Sequence, residues 1–377
     1  GGNSDGVTGS PPSDGPDVIK ALGGIDTVDS GGGDDVVDGG ADADTIDGGS
    51  GNDVLVGGKG DDVLDGGDGN DVLEGGDDND TLRESGSGND ILDGGAGNDT
   101  LDGGSGADIY VFAGDNGADT IKAFANVADL IDLTAYGLSG IGDLSIVQDS
   151  ANTVISGYAG AGNTITLENF PSSDLGPEDF IFDANANVIL GTINDNVIEP
   201  GGNSDGVTGS PPSDGPDVIK ALGGIDTVDS GGGDDVVDGG ADADTIDGGA
   251  GNDFLAGGKG DDVLDGGEDN DTLRGDDGAD IYVFAGNNGV DTISDFTDAS
   301  DRIDFTAYAV SDVSEFNIAP DGANTVISGY DGAGNTVTLE NFDAANLGDD
   351  DFIFFEPELP PPSSEPTSGD DVLFGTP

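Results

Sequence analysis

The 377-residue sequence has no cysteine, histidine, methionine or tryptophan, and only eight of its residues are Lys or Arg. Without Cys and His, the chain cannot be a disulfide scaffold, a thiolate or His-based zinc protein, or a Ser-His or Cys-His hydrolase. We expect no nucleic-acid partner, because a phosphate backbone is bound through Lys and Arg. We also expect no membrane span, because no apolar run approaches the length of a transmembrane helix.

Acidic residues and glycine dominate what remains. The sequence contains 69 Asp, 11 Glu and 72 Gly, and its formal net charge is -72. Only 33% of the residues are hydrophobic, and like charges at this density oppose compaction through self-repulsion. A folded state therefore needs cations as part of the structure. The lack of Cys and Met is typical of an extracellular bacterial surface protein.

The sequence repeats itself over a long period. Residues 1–49 recur unchanged as residues 201–249, and residues 107–182 match residues 279–354 at an offset of 172. Residues 369–375 resume the pattern once more. The chain is thus predicted to contain two similar units in series and the start of a third.

A second period, of nine residues, lies inside each unit. The in-phase residue is always Asp, and one extra residue near Glu84 is the only interruption. The in-phase residues are Asp17, Asp26, Asp35, Asp44, Asp53, Asp62, Asp71, Asp80, Asp90, Asp99 and Asp108 in the first unit, and Asp217, Asp226, Asp235, Asp244, Asp253, Asp262, Asp271 and Asp280 in the second.

The best-formed nonapeptides, such as GGSGNDVLV at residues 48–56, combine a turn with a strand. The glycines permit a tight turn and let backbone carbonyls converge, while the β-branched and aliphatic residues after the Asp favour a short strand with one inward side chain. Two nonapeptides then form one coil of a stack, so Asp residues 18 apart lie above one another. Such a column of carboxylates needs a hard divalent cation, and calcium fits best because it accepts many carboxylate and carbonyl oxygens.

The pattern G-G-x-G-x-D-x-U-x resembles the nonapeptide of the RTX (repeats-in-toxin) family. The resemblance implies an all-β fold of tandem parallel β-rolls, with several calcium ions held by the in-phase Asp side chains and turn carbonyls. All of the in-phase Asp residues are therefore candidate metal ligands. Asp42, Asp78 and Leu22 replace glycines of the pattern, and residues 12–17 form only half a turn motif, which weakens the prediction at those places.

Aromatic residues are absent from residues 1–107 and frequent in the next 75. Alternating runs at residues 108–112, 152–158 and 163–170 predict antiparallel strands, with a hairpin turn at residues 159–163. We therefore predict a small antiparallel β-sandwich that caps each roll. The motifs GADTI-x-x-F, D-x-IDLTAYG, NTVISGY and DFIF are similar to the C-terminal cap of serralysin-type exoproteins.

The caps hold further acidic residues outside the nine-residue phase. Asp119 and Asp291 are added to the candidate metal ligands, while Asp129, Asp132 and their counterparts Asp301 and Asp304 could either bind calcium or cap turns.

The predicted domains follow from these boundaries. They are roll 1 (residues 1–107), cap 1 (108–183), a connector (184–216), roll 2 (217–279), cap 2 (280–355), and a Pro-rich linker with the start of a third unit (356–377).

Three functional classes fit this organisation. The chain could be a structural component of a secreted or cell-surface assembly, the secretion and folding appendage or adhesin stalk of a larger exoprotein, or a calcium-dependent module that binds an anionic polysaccharide. We favour the first, because two nearly identical units in series suit a long or polymeric object. We expect no enzymatic activity, since the repeat accounts for most of the Asp clusters.

The expected partners are calcium and neighbouring units or copies of the chain. Because extracellular calcium modules bind weakly, we expect the chain to remain unfolded in the cytosol, to pass a type I secretion channel, and to fold outside the cell.

Overall fold

The computed structural model describes residues 8–9, 15–125, 128–160, 162–192, 196–199, 203, 207–297, 300–308, 310–330 and 334–354. These residues form short strands and single 3-10 turns, without an α-helix among them. The predicted fold class is confirmed, because most strands pair in parallel and stack into two β-rolls. No helix in the described part of the chain is long and apolar enough to cross a membrane.

Each nonapeptide contributes one strand immediately after its Asp. In the strand that begins at Thr45, the threonine is exposed, Ile46 is buried and Asp47 is exposed. Thr45 pairs with Val63, 18 residues later. Two nonapeptides therefore make one coil, and the inward aliphatic residues of successive coils stack into a continuous core.

The strands of roll 1 are short and lie alternately on its two sides. They are β1 (Thr8–Gly9), β2 (Val18–Lys20), β3 (Thr27–Asp29), β4 (Val36–Ala41), β5 (Thr45–Ser50), β6 (Val54–Lys59), β7 (Val63–Asp68), β8 (Val72–Asp77), β9 (Thr81–Arg83), β10 (Ile91–Ala96) and β11 (Thr100–Asp102).

Cap 1 adds seven strands and four 3-10 turns in the described residues. They are β12 (Ile109–Val111), β13 (Ala118–Ile121), β14 (Leu130–Asp132), η1 (Thr134–Tyr136), η2 (Ile141–Asp143), β15 (Ser145–Asp149), β16 (Asn152–Ser156), β17 (Thr164–Leu167), η3 (Ser172–Asp174), η4 (Pro177–Asp179) and β18 (Phe180–Ile181).

The second half of the chain repeats this order with fewer coils. Its first strands are β19 (Asn187–Thr192), β20 (Val197–Ile198), β21 (Asp217–Leu222), β22 (Thr227–Asp229), β23 (Val236–Ala241), β24 (Thr245–Asp247), β25 (Phe254–Lys259), β26 (Val263–Asp265) and β27 (Thr272–Asp277). Cap 2 contains β28 (Ile281–Val283), β29 (Val290–Ile293), β30 (Arg302–Asp304), η5 (Val313–Glu315), β31 (Asn317–Asp321), β32 (Asn324–Ser328), β33 (Thr336–Leu339), η6 (Ala344–Asn346), η7 (Asp349–Asp351) and β34 (Phe352–Ile353).

The antiparallel caps predicted from the sequence are present only in part, because each cap lies in mixed sheets that continue from its roll. Both sheets of roll 1 run on into cap 1, in the orders β1-β2-β4-β6-β8-β10-β12-β14-β18 and β3-β5-β7-β9-β11-β13-β17-β16-β15. The strand of residues 109–111 pairs in parallel on both sides. Among the described strands of cap 1, antiparallel pairing is confined to the pairs β15–β16 and β16–β17. The physical reason is that the last coil presents an open backbone edge, which a further parallel strand satisfies.

The segment predicted as a connector, residues 184–216, also differs from an extended linker. Its strands β19 and β20 pair in parallel with β21 and β22 of roll 2. The backbone N–H of Asn196 donates to Asp226 Oδ1 at 2.5 Å, so Asn196 takes the place of an in-phase Asp. The segment is therefore a degenerate first coil. The Pro-rich linker at 356–377 lies outside the described residues.

The two halves of the chain meet in a small mixed junction. Leu130 and Ile181 of cap 1 form a buried cluster with Leu190 and Val218. Beside this cluster, Nζ of Lys220 lies 3.6 Å from Asp179 Oδ1 of cap 1 and 3.3 Å from Asp238 Oδ2 of roll 2, with 1% of the lysine side chain exposed. An apolar contact and a buried ion pair thus join the two units.

Candidate metal centre

The in-phase Asp residues form two columns on each roll. Within a column, the backbone N–H of one Asp donates to Oδ1 of the Asp one coil later, as from Asp53 to Asp71 at 2.7 Å and from Asp62 to Asp80 at 2.8 Å. The in-phase Asp side chains of both rolls are buried, with at most 5% of any residue exposed. The predicted ligands are therefore brought together as the repeat requires.

The columns include the predicted residues at their ends. Asp99 N donates to Asp119 Oδ1 at 2.9 Å, and Asp271 N donates to Asp291 Oδ1 at 3.1 Å, so both cap residues belong to columns. Their second oxygens, however, accept hydrogen bonds from the neighbouring amides Asn116 and Asn288 at 2.6 Å.

The columns also end on residues whose role the sequence left open. Asp108 N donates to Asp129 Oδ1, and Asp280 N donates to Asp301 Oδ1, both at 3.1 Å. Asp132 has a different role, because its Oδ1 accepts from Thr134 N at 2.9 Å and caps the turn.

At the start of the columns, Asp17 N and Asp217 N donate to the Asp of the next coil at 2.7 and 2.8 Å. Oδ2 of Asp217 also accepts from Ser213 N at 2.9 Å.

Most column residues keep one carboxylate oxygen, Oδ2, buried and without a hydrogen-bond partner. An orphaned buried polar atom is costly, and a whole column of them indicates ligands for a cation. This holds for Asp35, Asp44, Asp53, Asp62, Asp71, Asp80, Asp90, Asp99, Asp108, Asp244, Asp253, Asp262, Asp271 and Asp280.

Backbone carbonyls converge on the same oxygens. A Cβ atom placed on Gly48 would lie 2.5 Å from Asp53 Oδ2 and 2.7 Å from the carbonyl oxygen of Gly66 in the next coil. The same 2.5 Å approach relates Gly57 to Asp62 Oδ2. Glycine is needed there because any side chain would fill the space where the carboxylate and the carbonyl meet.

The donor set fits calcium. It consists of carboxylate and carbonyl oxygens with no nitrogen or sulfur ligand, which hard cations prefer, and its repeated, flexible turns suit the variable coordination of calcium better than the strict octahedron of magnesium. Bound calcium would neutralise the buried carboxylates and join neighbouring turns.

Without bound metal, the carboxyl groups of the columns have higher pKa values than free aspartate has. Burial, followed by the charges of neighbouring aspartates, raises the pKa of Asp53 to about 6, that of Asp80 to about 7 and that of Asp253 to about 8, although backbone hydrogen bonds act in the opposite direction. The ionised columns are thus unfavourable without a cation.

We expect acid to promote folding of the calcium-free chain. Between the ordinary pKa of 3.8 and about 8, the folded metal-free columns bind more protons than the unfolded chain, so stability falls as pH rises through this window. Lowering the pH of dialysed, calcium-free protein from about 8 to about 5 should increase the strand signal in circular dichroism. Calcium-loaded protein is the control and should change little; a flat profile for both samples would contradict the expectation.

The sequence reasoning missed Glu84. Its carboxylate lies with those of Asp71 and Asp90 in one buried group whose ligand oxygens are all within 4.8 Å of one another. Glu84 Oε2 accepts from Gly67 N at 3.0 Å, while Oε1 is buried without a hydrogen bond. The sequence feature that could have revealed Glu84 is the extra residue beside it. This residue lengthens one nonapeptide to ten residues and lets the Glu84 side chain turn into the column.

Replacing this glutamate should weaken one site. Glu84→Gln removes one negative charge from the Asp71 and Asp90 group at nearly constant volume, and we expect an affinity loss of roughly tenfold at that site, about 1.4 kcal/mol. Calorimetric titration with calcium would resolve the loss as one weaker class of site. Glu74→Gln is the control, because Glu74 is exposed on the same roll; an equal effect of both variants would contradict a ligand role for Glu84.

A parallel β-roll with buried columns of carboxylates defines the chain as a repeat protein whose columns fit a bound cation. The family model of the RTX calcium-binding nonapeptide repeat matches residues 13–46, 47–82, 84–121, 213–246 and 247–282. The chain belongs to this family of calcium-binding repeats.

Several solved structures are similar to parts of the chain. The AlgE6R3 subunit of the mannuronan C5-epimerase of Azotobacter vinelandii is 30% identical, over 41% of this chain and 90% of that chain, with a TM-score of 0.27. The AlgE6R2 subunit of the same enzyme is 26% identical, over 39% and 92%, with a TM-score of 0.26. The extracellular lipase LipA of Serratia marcescens is 16% identical, over 82% and 40%, also with a TM-score of 0.26. No curated protein matches the chain.

Proposed function

We propose that the chain is a calcium-dependent structural segment of a secreted or cell-surface assembly, and that it has no catalytic role. The observation that carries this proposal is the junction between the two units. Lys220 is buried between Asp179 of cap 1 and Asp238 of roll 2, and Arg274 Nη2 lies 2.5 Å from Glu178 Oε1 of cap 1. Units that are fixed to each other in series suit a load-bearing or space-filling role.

Calcium links this role to the place where the chain folds. The buried, unneutralised columns oppose folding where calcium is scarce, as in the cytosol, and permit it outside the cell. An unfolded chain can pass a narrow type I secretion channel, and the folded, acidic product then accumulates only where calcium is present. The family of calcium-binding repeats supports this order of events.

The way the carboxylates are used supports the proposal that the chain has no catalytic role. A pair of acids for glycoside hydrolysis needs one carboxyl group on each side of a sugar in an open cleft. Here the in-phase Asp side chains are buried in columns and bonded to backbone N–H groups of adjacent coils. This arrangement supports a role in metal ligation rather than in an active site.

Electron microscopy of the purified chain tests the structural role. With calcium, we expect regular filaments or sheets with a repeat along one direction, and with chelator we expect none. Calcium-loaded particles that remain dispersed single chains at every concentration would contradict the proposal and favour an appendage of an exoprotein.

A further inference from the structure

A buried lysine lies where cap 1 meets roll 2. Nζ of Lys220 donates to Asp238 Oδ2 of roll 2 at 3.3 Å and lies 3.6 Å from Asp179 Oδ1 of cap 1. The exposed fraction of the side chain is 1% for Lys220, 9% for Asp238 and 0% for Asp179. One amine therefore faces two carboxyl groups, one from each unit, in a place shielded from bulk water.

The charges of this group do not balance. Lys220 can neutralise only one of its two carboxyl groups, and the adjacent Glu178 is paired with Arg274, whose Nη2 lies 2.5 Å from Glu178 Oε1. Burial raises the pKa of Asp179 to about 7, although Lys220 acts in the opposite direction. Near neutral pH, Asp179 is therefore protonated in a substantial share of the molecules. Asp238, which accepts the hydrogen bond of the lysine, is then its charged partner.

Hydrogen bonds give the two carboxyl groups different roles. Asp179 Oδ2 accepts from Gly176 N at 2.8 Å, whereas its Oδ1, the oxygen closer to the lysine, is buried and makes no hydrogen bond. The N–H of Gly176 withdraws charge from the carboxyl group, as a donor in an oxyanion hole does. The carbon of Asp179 is thus placed for attack by the amine, and Asp238 is placed to take a proton from it.

We propose that Lys220 and Asp179 form an isopeptide bond once calcium has folded the two units. Asp238 takes one proton from the lysine ammonium, and Nζ then attacks the carboxyl carbon of protonated Asp179. A bond forms between Nζ and this carbon, and the bond between the carbon and its hydroxyl group breaks. The hydroxyl group leaves as water with a second proton from Nζ. The amide keeps the third hydrogen of Nζ and Asp238 ends protonated, so no oxidant, reductant or co-reactant is needed.

Two features of the site favour condensation over hydrolysis. Holding an amine beside a carboxyl group makes the reaction intramolecular, and effective molarities in well-oriented cases reach roughly 10⁵–10⁸ M. Burial keeps out the water that would reverse the reaction, and a neutral amide costs less to bury than an ion pair does. The product therefore suits this interior better than the separate charged groups.

Loss of a proton from the amine is the difficult step. Burial by itself lowers the pKa of Lys220, but the charges of Asp238, Asp179 and Glu178 outweigh burial and raise it. The amine must therefore give up a proton before it can attack, and Asp238 lies within hydrogen-bond distance to accept it. We expect the bond to form slowly, over hours after the chain has folded.

The bond would join cap 1 to roll 2 covalently. This inference goes beyond the proposed structural function, to which it adds a junction that cannot open under load. Removal of calcium would unfold the rolls but would leave the bond in place.

Roll 1 provides an internal control. Residues 1–49 and 201–249 are identical, and Nζ of Lys20 lies 2.7 Å from Asp38 Oδ2, as the counterpart of the pair in roll 2. The side chain of Lys20, however, is 55% exposed and that of Asp38 is 40% exposed. Water reaches this pair, so we expect Lys20 to remain unmodified.

Mass spectrometry of the full chain tests the bond. Protein purified in denaturant and chelator should have the mass of its sequence, and after incubation with calcium it should be lighter by one water. Trypsin, which cuts after Lys and Arg, should release residues 123–220 and 221–259 from the first sample. From the second it should release residues 123–259 as one peptide, lighter by one water. Cleavage after Lys20 should be normal in both samples.

Four variants identify the reacting atoms. Lys220→Arg should keep its full mass. Asp179→Asn should still react, but it should lose ammonia instead of water, because the amine then attacks a carboxamide. Asp238→Asn removes the proton acceptor and should slow the reaction strongly, whereas Asp38→Asn, the matched change in roll 1, should not. Circular dichroism in calcium should show that all four variants are folded.

The outcomes separate this proposal from the structural function. A wild-type chain that folds in calcium and keeps its full mass after long incubation would overturn the isopeptide bond. Loss of water that persists in Asp179→Asn would also overturn it, because the bond would then involve another carboxyl group. Neither result bears on assembly, which electron microscopy tests. Linked chains that stay dispersed would contradict the structural function and leave the bond established.

Discussion

Withdrawal of calcium at a pH near 8 is expected to abolish the strand signal of both rolls. Adjacent carboxylates of a column are about one strand spacing apart, ~4.8 Å, where two charges repel by about 3.5 kcal/mol at an effective dielectric constant near 20. A few such pairs equal the whole stability of an ordinary domain, about 5–15 kcal/mol. The stacked aliphatic core, such as Leu55, Leu64 and Leu73 at 0% exposed, offsets only part of this repulsion, because each buried side chain contributes about 1.5–3 kcal/mol.

Far-UV circular dichroism with and without excess chelator measures this loss, and renewed addition of calcium should restore the signal. All six tyrosines lie in the caps, so tyrosine fluorescence reports separately on the caps. Because each cap continues the sheets of its roll, we expect both signals to disappear together at one calcium concentration.

Two controls separate coordination from charge screening. Sodium chloride at matched ionic strength screens exposed charges but supplies no ligand-bound cation, so it should not restore the fold. Magnesium has the same charge as calcium but demands an octahedral site, and we expect only partial recovery. Strand signal that persists in excess chelator near pH 8 would contradict calcium-dependent folding.

The sequence predicted the rolls well because their order is local and periodic. A nine-residue phase determines which Asp joins a column and which aliphatic residue points inward, and the pairing of Thr45 with Val63 confirms the 18-residue coil. Burial of the in-phase aspartates also follows from that phase. No long-range information was required, since every coil contacts only its neighbours.

The caps and the connector were predicted less well, because alternation of apolar residues does not state the direction of a strand. The run at residues 108–112 alternates as an antiparallel strand would, yet β12 pairs in parallel with the last coil. Residues 191–202 resemble a degenerate nonapeptide in sequence, but residues 187–192 lack an in-phase Asp, so their strand beside roll 2 was not predicted. Glu84 escaped notice because it lies where the period breaks.

Removal of one pair of column carboxylates should change calcium-dependent folding far more than removal of two exposed ones. Asp62 and Asp80 are successive residues of one column, linked by the 2.8 Å bond from Asp62 N to Asp80 Oδ1. The double variant Asp62→Ala and Asp80→Ala removes their orphaned Oδ2 atoms. We expect the calcium midpoint of folding to rise roughly tenfold, a cost of about 1.4 kcal/mol per site, and the cooperativity of the transition to fall.

The matched control is Asp61→Ala with Asp77→Ala. Both residues are exposed, Asp61 accepts from Asn79 N at 3.0 Å, and Asp77 pairs with Lys59 on the outer face of the roll. Solvent screens such surface contacts, and their loss costs little stability, so the calcium midpoint should move little. A calcium titration followed by circular dichroism compares the two double variants, and equal shifts would mean that the assignment of ligands to the nine-residue phase is wrong.

The double variant Asp62→Asn and Asp80→Asn distinguishes a ligand from a merely structural residue. The amide oxygen introduced at position 80 would still accept the backbone bond, but two negative charges leave the column. Burial and neighbouring aspartates raise the pKa of Asp80 to about 7, so its ionised form destabilises the metal-free fold. The double variant should therefore fold better than wild type without calcium and worse with it. Replacing a residue that only supported packing would change the stability of the fold in the same direction with and without calcium. That result would refute the ligand assignment.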